Sequence, residues 1–177
     1  MQRGPGRRPR ASGRAGRPAV GLRLRRLRHP VQRPGRGEVP ARPPDVRSLA
    51  DFRLTDAQWE GLGLPINLAF FLHSTAAGRV VAFYPSPAGA TEALPDAETW
   101  QALVADNPGL RDLEPDVEAL LVNRVGAARE HYRAGIDRCY ELVGLVRTHW
   151  HGFSGGQAVW DEIGRFFGRL KERSGHA

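Results

Sequence analysis

Asn67-Leu68-Ala69-Phe70-Phe71-Leu72-His73-Ser74, joined through Ala76-Ala77-Gly78 to Arg79-Val80-Val81-Ala82-Phe83-Tyr84, is the stretch on which the fold turns. Both runs are short, apolar and aromatic, and small residues ending in glycine separate them, so they predict two strands of a hairpin. The apolar strip from Ile66 to Leu72 is the longest in the chain. It falls well short of the ~20 residues that span a bilayer, and it suits a buried strand. Upstream, Asp45 to Ala50 reads as a short edge strand. Thr55-Asp56-Ala57-Gln58 has the form of a capping box, with Thr55 as N-cap and Gln58 three residues on. It starts a short helix with Trp59 and Leu62 inward, stopped by Gly61, Gly63 and Pro65.

Downstream, Pro85 to Pro95 carries four turn-favouring residues and reads as a loop. Asp96 then caps a helix with Trp100, Leu103 and Val104 on one face, which ends at Asn107-Pro108-Gly109. Val117 to Val122 predicts a further strand. Ile136 to Val146 puts Ile136, Cys139, Tyr140 and Val143 near helical spacing, while Leu142, Leu145 and Val146 widen that face enough to keep a buried strand open. Gly155-Gly156 opens a long C-terminal helix whose stripe is Val159, Trp160, Ile163, Phe166, Phe167 and Leu170. Asp161 and Glu162 are expected in its first turn and Arg169, Lys171 and Arg173 near its end, as the helix dipole favours. The fold class this implies is α+β: a small, mostly antiparallel sheet of a hairpin plus a later strand, packed with three to four helices.

The charge of the chain is uneven. Lys and Arg number 26 against 19 Asp and Glu, yet residues 1–44 alone hold 13 Arg and a single acid, Glu38. The remaining 133 residues carry a net −5 and all 14 aromatics, and that length fits one ordinary domain, 45–177. Residues 1–44, rich in Arg, Gly and Pro, are expected to be disordered for want of apolar surface to bury. As an Arg-rich arm they offer a nucleic-acid-binding reading. The folded remainder is mildly acidic and gives that reading no electrostatic support.

The composition of the tail also suggests GC-rich DNA translated in the wrong frame, or from the wrong start. With Leu as CTG and Arg beginning CG, the pairs Leu22-Arg23, Leu24-Arg25 and Leu27-Arg28 each contain a cysteine codon one nucleotide out of frame, spaced C-x-C-x-x-C. Pro43-Pro44 is a candidate run of C nucleotides at which a base could slip. As written, the chain holds one cysteine, Cys139, so it has no intramolecular disulfide and no cofactor site in its tail; zinc becomes a candidate if those cysteines are restored. A reducing, cytoplasmic location is expected, and no membrane attachment.

Three groups of residues carry candidate chemistry. Gly152-Phe153-Ser154-Gly155-Gly156 matches the G-x-S-x-G pattern of a nucleophile elbow. That elbow needs an acid and then a histidine downstream, and the alternation of strand and helix is missing, so the reading leans away from an enzyme. Ser154, Gly155 and Gly156 remain either a cap for the last helix or an anion- or ligand-binding site at its free N–H groups. Cys139, His149 and His151, with His131 near in sequence, are candidate metal ligands whose spacing matches no established zinc motif; alternatively Cys139 is a small buried hydrophobe and the histidines lie in a surface loop. The acidic stretch Asp106, Asp112, Glu114, Asp116 and Glu118 reads as a solvated loop leading into a strand, with docking of a basic partner as the alternative.

The chain also resembles a bacterial family of unknown function, domain-of-unknown-function family 5947. The residues that carry the likeness are Asp51-Phe52-Arg53-Leu54, Leu68 to Phe71, Val80 to Glu92, Glu114 to Arg124, Ile136 to Leu145, and His149-Trp150 with Ser154-Gly155-Gly156 and Val159-Trp160. The resemblance spans about residues 44–177. It implies a gene neighbourhood beside nickel–iron hydrogenases, and so an accessory or assembly role through contact with hydrogenase subunits or maturation factors. It also implies a cysteine-rich, zinc-ribbon-like N-terminal segment, from which this chain departs.

Overall fold

The run of apolar residues in the hairpin is unbroken because both faces of its first strand are covered. A computed structural model of the chain describes residues 46–152 and 155–174. In it β2 (Leu68–Ser74) and β3 (Arg79–Ser86) are antiparallel neighbours, in register at Phe70↔Phe83 and Leu72↔Val81. They lie inside a six-stranded antiparallel sheet with β1 (Arg47–Ser48), β4 (Gly89–Ala93), β5 (Glu118–Asn123) and β6 (Glu130–Gly135), in the order β1-β6-β5-β2-β3-β4. Side chains alternate across it. Leu68, Phe70 and Leu72 join one core with Leu121, Tyr132 and the helices α3 (Ile136–His149) and α4 (Gly156–Ser174). Ala69 and Phe71 join a second core with Leu120, Val122 and the helices α1 (Asp56–Gly61) and α2 (Ala97–Asp106). Phe70 and Phe71 have no exposed surface, and burying each contributes roughly 2 kcal/mol from opposite sides of one strand. The chain is thus α+β, with four α-helices among the described residues, the C-terminal one the longest.

The helix boundaries follow local chemistry. Thr55 Oγ1 accepts the Gln58 N–H at 3.1 Å and Gln58 Oε1 accepts the Thr55 N–H at 2.9 Å, the two halves of the capping box. Asp96 accepts the Thr99 N–H at 2.8 Å, and hydrogen bonds from Thr99 hold its carboxyl below the usual carboxylate range. In the hairpin, Gly78 donates to the Thr75 carbonyl at 3.3 Å with φ of +64°, a left-handed conformation that glycine adopts without steric cost. On α3 the buried positions Cys139, Leu142, Val143 and Val146 recur at helical spacing, which settles this segment as helix.

Several expectations need correction. Tyr140 and Trp160, expected on the apolar faces of their helices, are 47% and 36% exposed. Asp161 and Glu162 lie in the second turn of α4, which starts at Gly156. The segment read as one loop contains β4, paired with β3 from Ala82↔Ala93 to Ser86↔Gly89. The β2 ladder ends at Phe83, so Pro85 has a strand partner on one side only, and a proline is tolerated there. Strand β6 was not expected at all, because its alternate residues, His131 and Arg133, are polar. Glu118 is not solvated; it is buried and paired with Arg133, whose Nε donates to Glu118 Oε1 at 2.8 Å. Burial alone would raise the Glu118 carboxyl, but the Arg133 guanidinium and the Glu114 N–H outweigh it and hold it below the usual range. The reading of residues 1–44 as disordered or frame-shifted lies outside the described residues, as does Ser154.

Candidate functional site

The structure separates the proposed metal ligands. Cys139 is fully buried in the α3 core, and burial pushes its thiol far above the ordinary range. His149 lies ten residues on along the same helix, about 15 Å away at 1.5 Å per residue. Its Nδ1 is 3.0 Å from the Leu145 carbonyl oxygen. His151 follows the helix and its N–H donates to the Gly155 carbonyl at 3.1 Å. Among the described residues, no group of three or more His, Cys, Asp or Glu converges on a point where a metal could sit.

Gly155 and Gly156 have positive φ, +83° and +72°. A Cβ on Gly155 would stand 2.7 Å from Val159 Cγ1 and 3.1 Å from Trp150 Cε3. The missing side chain therefore lets the indole of Trp150 close onto the first turn of α4, where it meets Trp160 edge-on at 6.2 Å. Packing of the α3–α4 connection accounts for Gly155, and backbone conformation for Gly156.

The two edges of the sheet hold the remaining features. At the β1 edge the chain makes only two residues of strand. The Leu49 N–H donates to the His131 carbonyl at 2.9 Å, and the backbone then leaves the sheet in an arch. The far foot of the arch is pinned at Arg53, whose N–H donates to Asn107 Oδ1 and whose carbonyl accepts from Asn107 Nδ2, both at 2.8 Å. Beneath it is a cavity of about 470 Å³, lined by Ser48, Leu49, Ala50, Phe52, Leu54, Arg129, Glu130, His131, Tyr132 and Lys171. The Phe52 ring lies 4.7 Å from the His131 imidazole, tilted by 31°. Burial, and then the charges of Arg124 and Arg129, push the imidazole down to about 4, so it is neutral at neutral pH. Arg124 is itself buried, ion-paired with Asp56 and 5.6 Å over the Trp59 ring.

At the β4 edge the strand Gly89–Ala93 carries one charge, Glu92, and has no neighbour on its outer side among the described residues. Leu94, directly after it, is 57% exposed. Helix α3 packs over β3 and β4 and presents Tyr140, which meets Phe70 edge-on at 6.0 Å. Phe70 stacks on Phe83, whose partner on β4 is Glu92.

The β1 edge strand lies within Asp45–Ala50, where the sequence predicts one, but the β4 edge and the cavity under the arch carry no such local signal. The signal for β6 was the two-residue alternation of Tyr132 and Ala134. Phe52 and His131 are too far apart in the chain for any local pattern to join them. Among the described residues, no helix is long and apolar enough to cross a membrane. In comparisons with known proteins, a family model described as a family of unknown function (DUF5947) matches residues 32–174. That match begins upstream of the 44–177 expected. No curated protein and no solved structure matches the chain.

Proposed function

We propose a function on the premise that the chain belongs to the family of unknown function DUF5947. The protein is an accessory or assembly factor for a nickel–iron hydrogenase, acting by protein–protein contact and not as the catalyst. The hydrogenase link comes from the gene neighbourhood that the family resemblance implies. The structural observation that carries the reading is the β4 edge. A strand with an unpaired outer side is a template for an added strand from a partner. Leu94 and Tyr140 supply exposed apolar and aromatic surface beside it, and aromatic residues are enriched at the centres of protein interfaces.

The test is co-purification of hydrogenase subunits with the tagged full chain, compared with its Leu94→Glu and Thr91→Pro variants. Leu94→Glu changes an exposed side chain, so stability is expected to move by no more than about 0.5 kcal/mol while the partner is lost. A deletion strain that keeps full hydrogenase activity and normal subunit maturation would end this reading.

A further inference from the structure

The β1 edge has different chemistry from the β4 edge. Its cavity volume lies within the ~300–1,000 Å³ of small-molecule sites. Its lining is mixed. Leu49, Phe52 and Leu54 are apolar, and Arg129 and Lys171 contribute two cations. The single acid in the lining, Glu130, already accepts a hydrogen bond from Asn123 Nδ2 at 2.7 Å.

Against this wall stands His131. Its Nε2 is the one buried side-chain polar atom without a hydrogen-bond partner among the described residues. An unpaired buried polar group loses its hydration without replacing it, so a native structure that keeps one calls for an explanation. The Phe52 ring lies against the imidazole at 4.7 Å, and the nearby polar side chains Asn123 and Glu130 are engaged with each other.

We propose that this cavity binds a small organic carboxylate with an apolar or aromatic body. The carboxylate is held by Arg129 and Lys171 and accepts a hydrogen bond from the His131 Nε2–H, while the body packs against Leu49, Phe52 and Leu54. Phe52 shifts off the imidazole to admit it. The class follows from three features together. The excess of cations disfavours a cationic ligand. The apolar wall would be left wet by a bare inorganic anion. A neutral imidazole beside Arg124 and Arg129 can donate its N–H to an anion without itself having to be charged.

Phenylacetate is a suitable probe, titrated into the isotopically labelled full chain and followed by NMR. The expected result is a saturable shift confined to the rings of His131, Phe52 and Tyr132, with the titration midpoint of His131 raised at saturation because an anion now faces it. Lys171→Glu, at an exposed position, should weaken binding by roughly tenfold or more, about 1.4 kcal/mol. Arg129→Gln should weaken it in the same direction. The proposal is overturned if no saturable shift occurs by about 10 mM phenylacetate, a limit that still admits millimolar binding. It is equally overturned if Lys171→Glu binds as tightly as the parent, or if phenethylammonium, a cation of similar body, binds as well as phenylacetate.

Discussion

The two edges of one sheet are managed in opposite ways. At β1 the strand is cut to two residues, and the chain at once turns into an arch tied to Asn107. That leaves little edge to pair with and encloses a cavity instead. At β4 the strand runs five residues, with Ala90, Thr91 and Ala93 beside the single charge of Glu92, and its outer side is open among the described residues. Short length and a diverted backbone are standard ways to blunt an edge, and the second edge has been given neither. A closed edge with a polar-and-apolar cavity suits a small molecule. An open one with exposed Leu94 and Tyr140 suits a polypeptide.

That contrast breaks most severely at the shared centre. Phe70→Ala removes a ring with no exposed surface from β2, which pairs with both β3 and β5, and should cost about 3–5 kcal/mol in denaturant unfolding. Hydrogen exchange should then speed up at both edges together. Selective loss at one edge would show that they unfold separately.

Glu118→Gln should sharpen the comparison from the β1 side. It leaves Arg133 of β6 without its carboxylate and is expected to cost roughly 2–3 kcal/mol, less than the 3–5 kcal/mol of a fully buried pair. Faster exchange should appear at β1 and β6, with β4 unchanged.

Asn107→Ala comes next, at about 1–2 kcal/mol. It removes both ties to Arg53 and the 2.9 Å hydrogen bond from Asn107 Nδ2 to the Leu103 carbonyl. The Phe52 N–H, which donates to the Leu49 carbonyl at 3.1 Å, should lose protection.

A separate effect is a slope with pH. Between about 4 and the unfolded value of 6.5, the unfolded chain binds a proton at His131 and the native chain does not. Stability should therefore rise with pH across that window and flatten above it. His131→Phe should remove that component of the slope when urea midpoints are compared at pH 5 and pH 7. An unchanged slope would place the buried imidazole elsewhere.

What could be read without coordinates depended on range. Thr55 and Gln58 are three residues apart, and their capping box is present as the pattern predicts. The stripe Val159, Ile163, Phe166, Phe167 and Leu170 and the β2–β3 hairpin are likewise visible within a few residues. Strand β6 escaped because half of its alternation is polar, and β4 because prolines flank it. The glycines at 155 and 156 carry constraints that the sequence pattern does not show, a Trp150 ring packed against Gly155 and a left-handed backbone at both.

By itself the sequence determined the α+β class, the hairpin, the caps, the long last helix and the division of charge between residues 1–44 and the rest. Each of these rests on side-chain type and spacing within one or two turns, where steric and hydrogen-bonding rules act locally. Tertiary structure alone decided that β4 became the other edge, which charges were buried and what lay over His131. The arch is held by contacts such as Arg53 to Asn107, 54 residues apart. Such contacts form only once the core has collapsed and the entropy of closing the chain has been overcome. No local pattern encodes them, and both proposed binding surfaces depend on them.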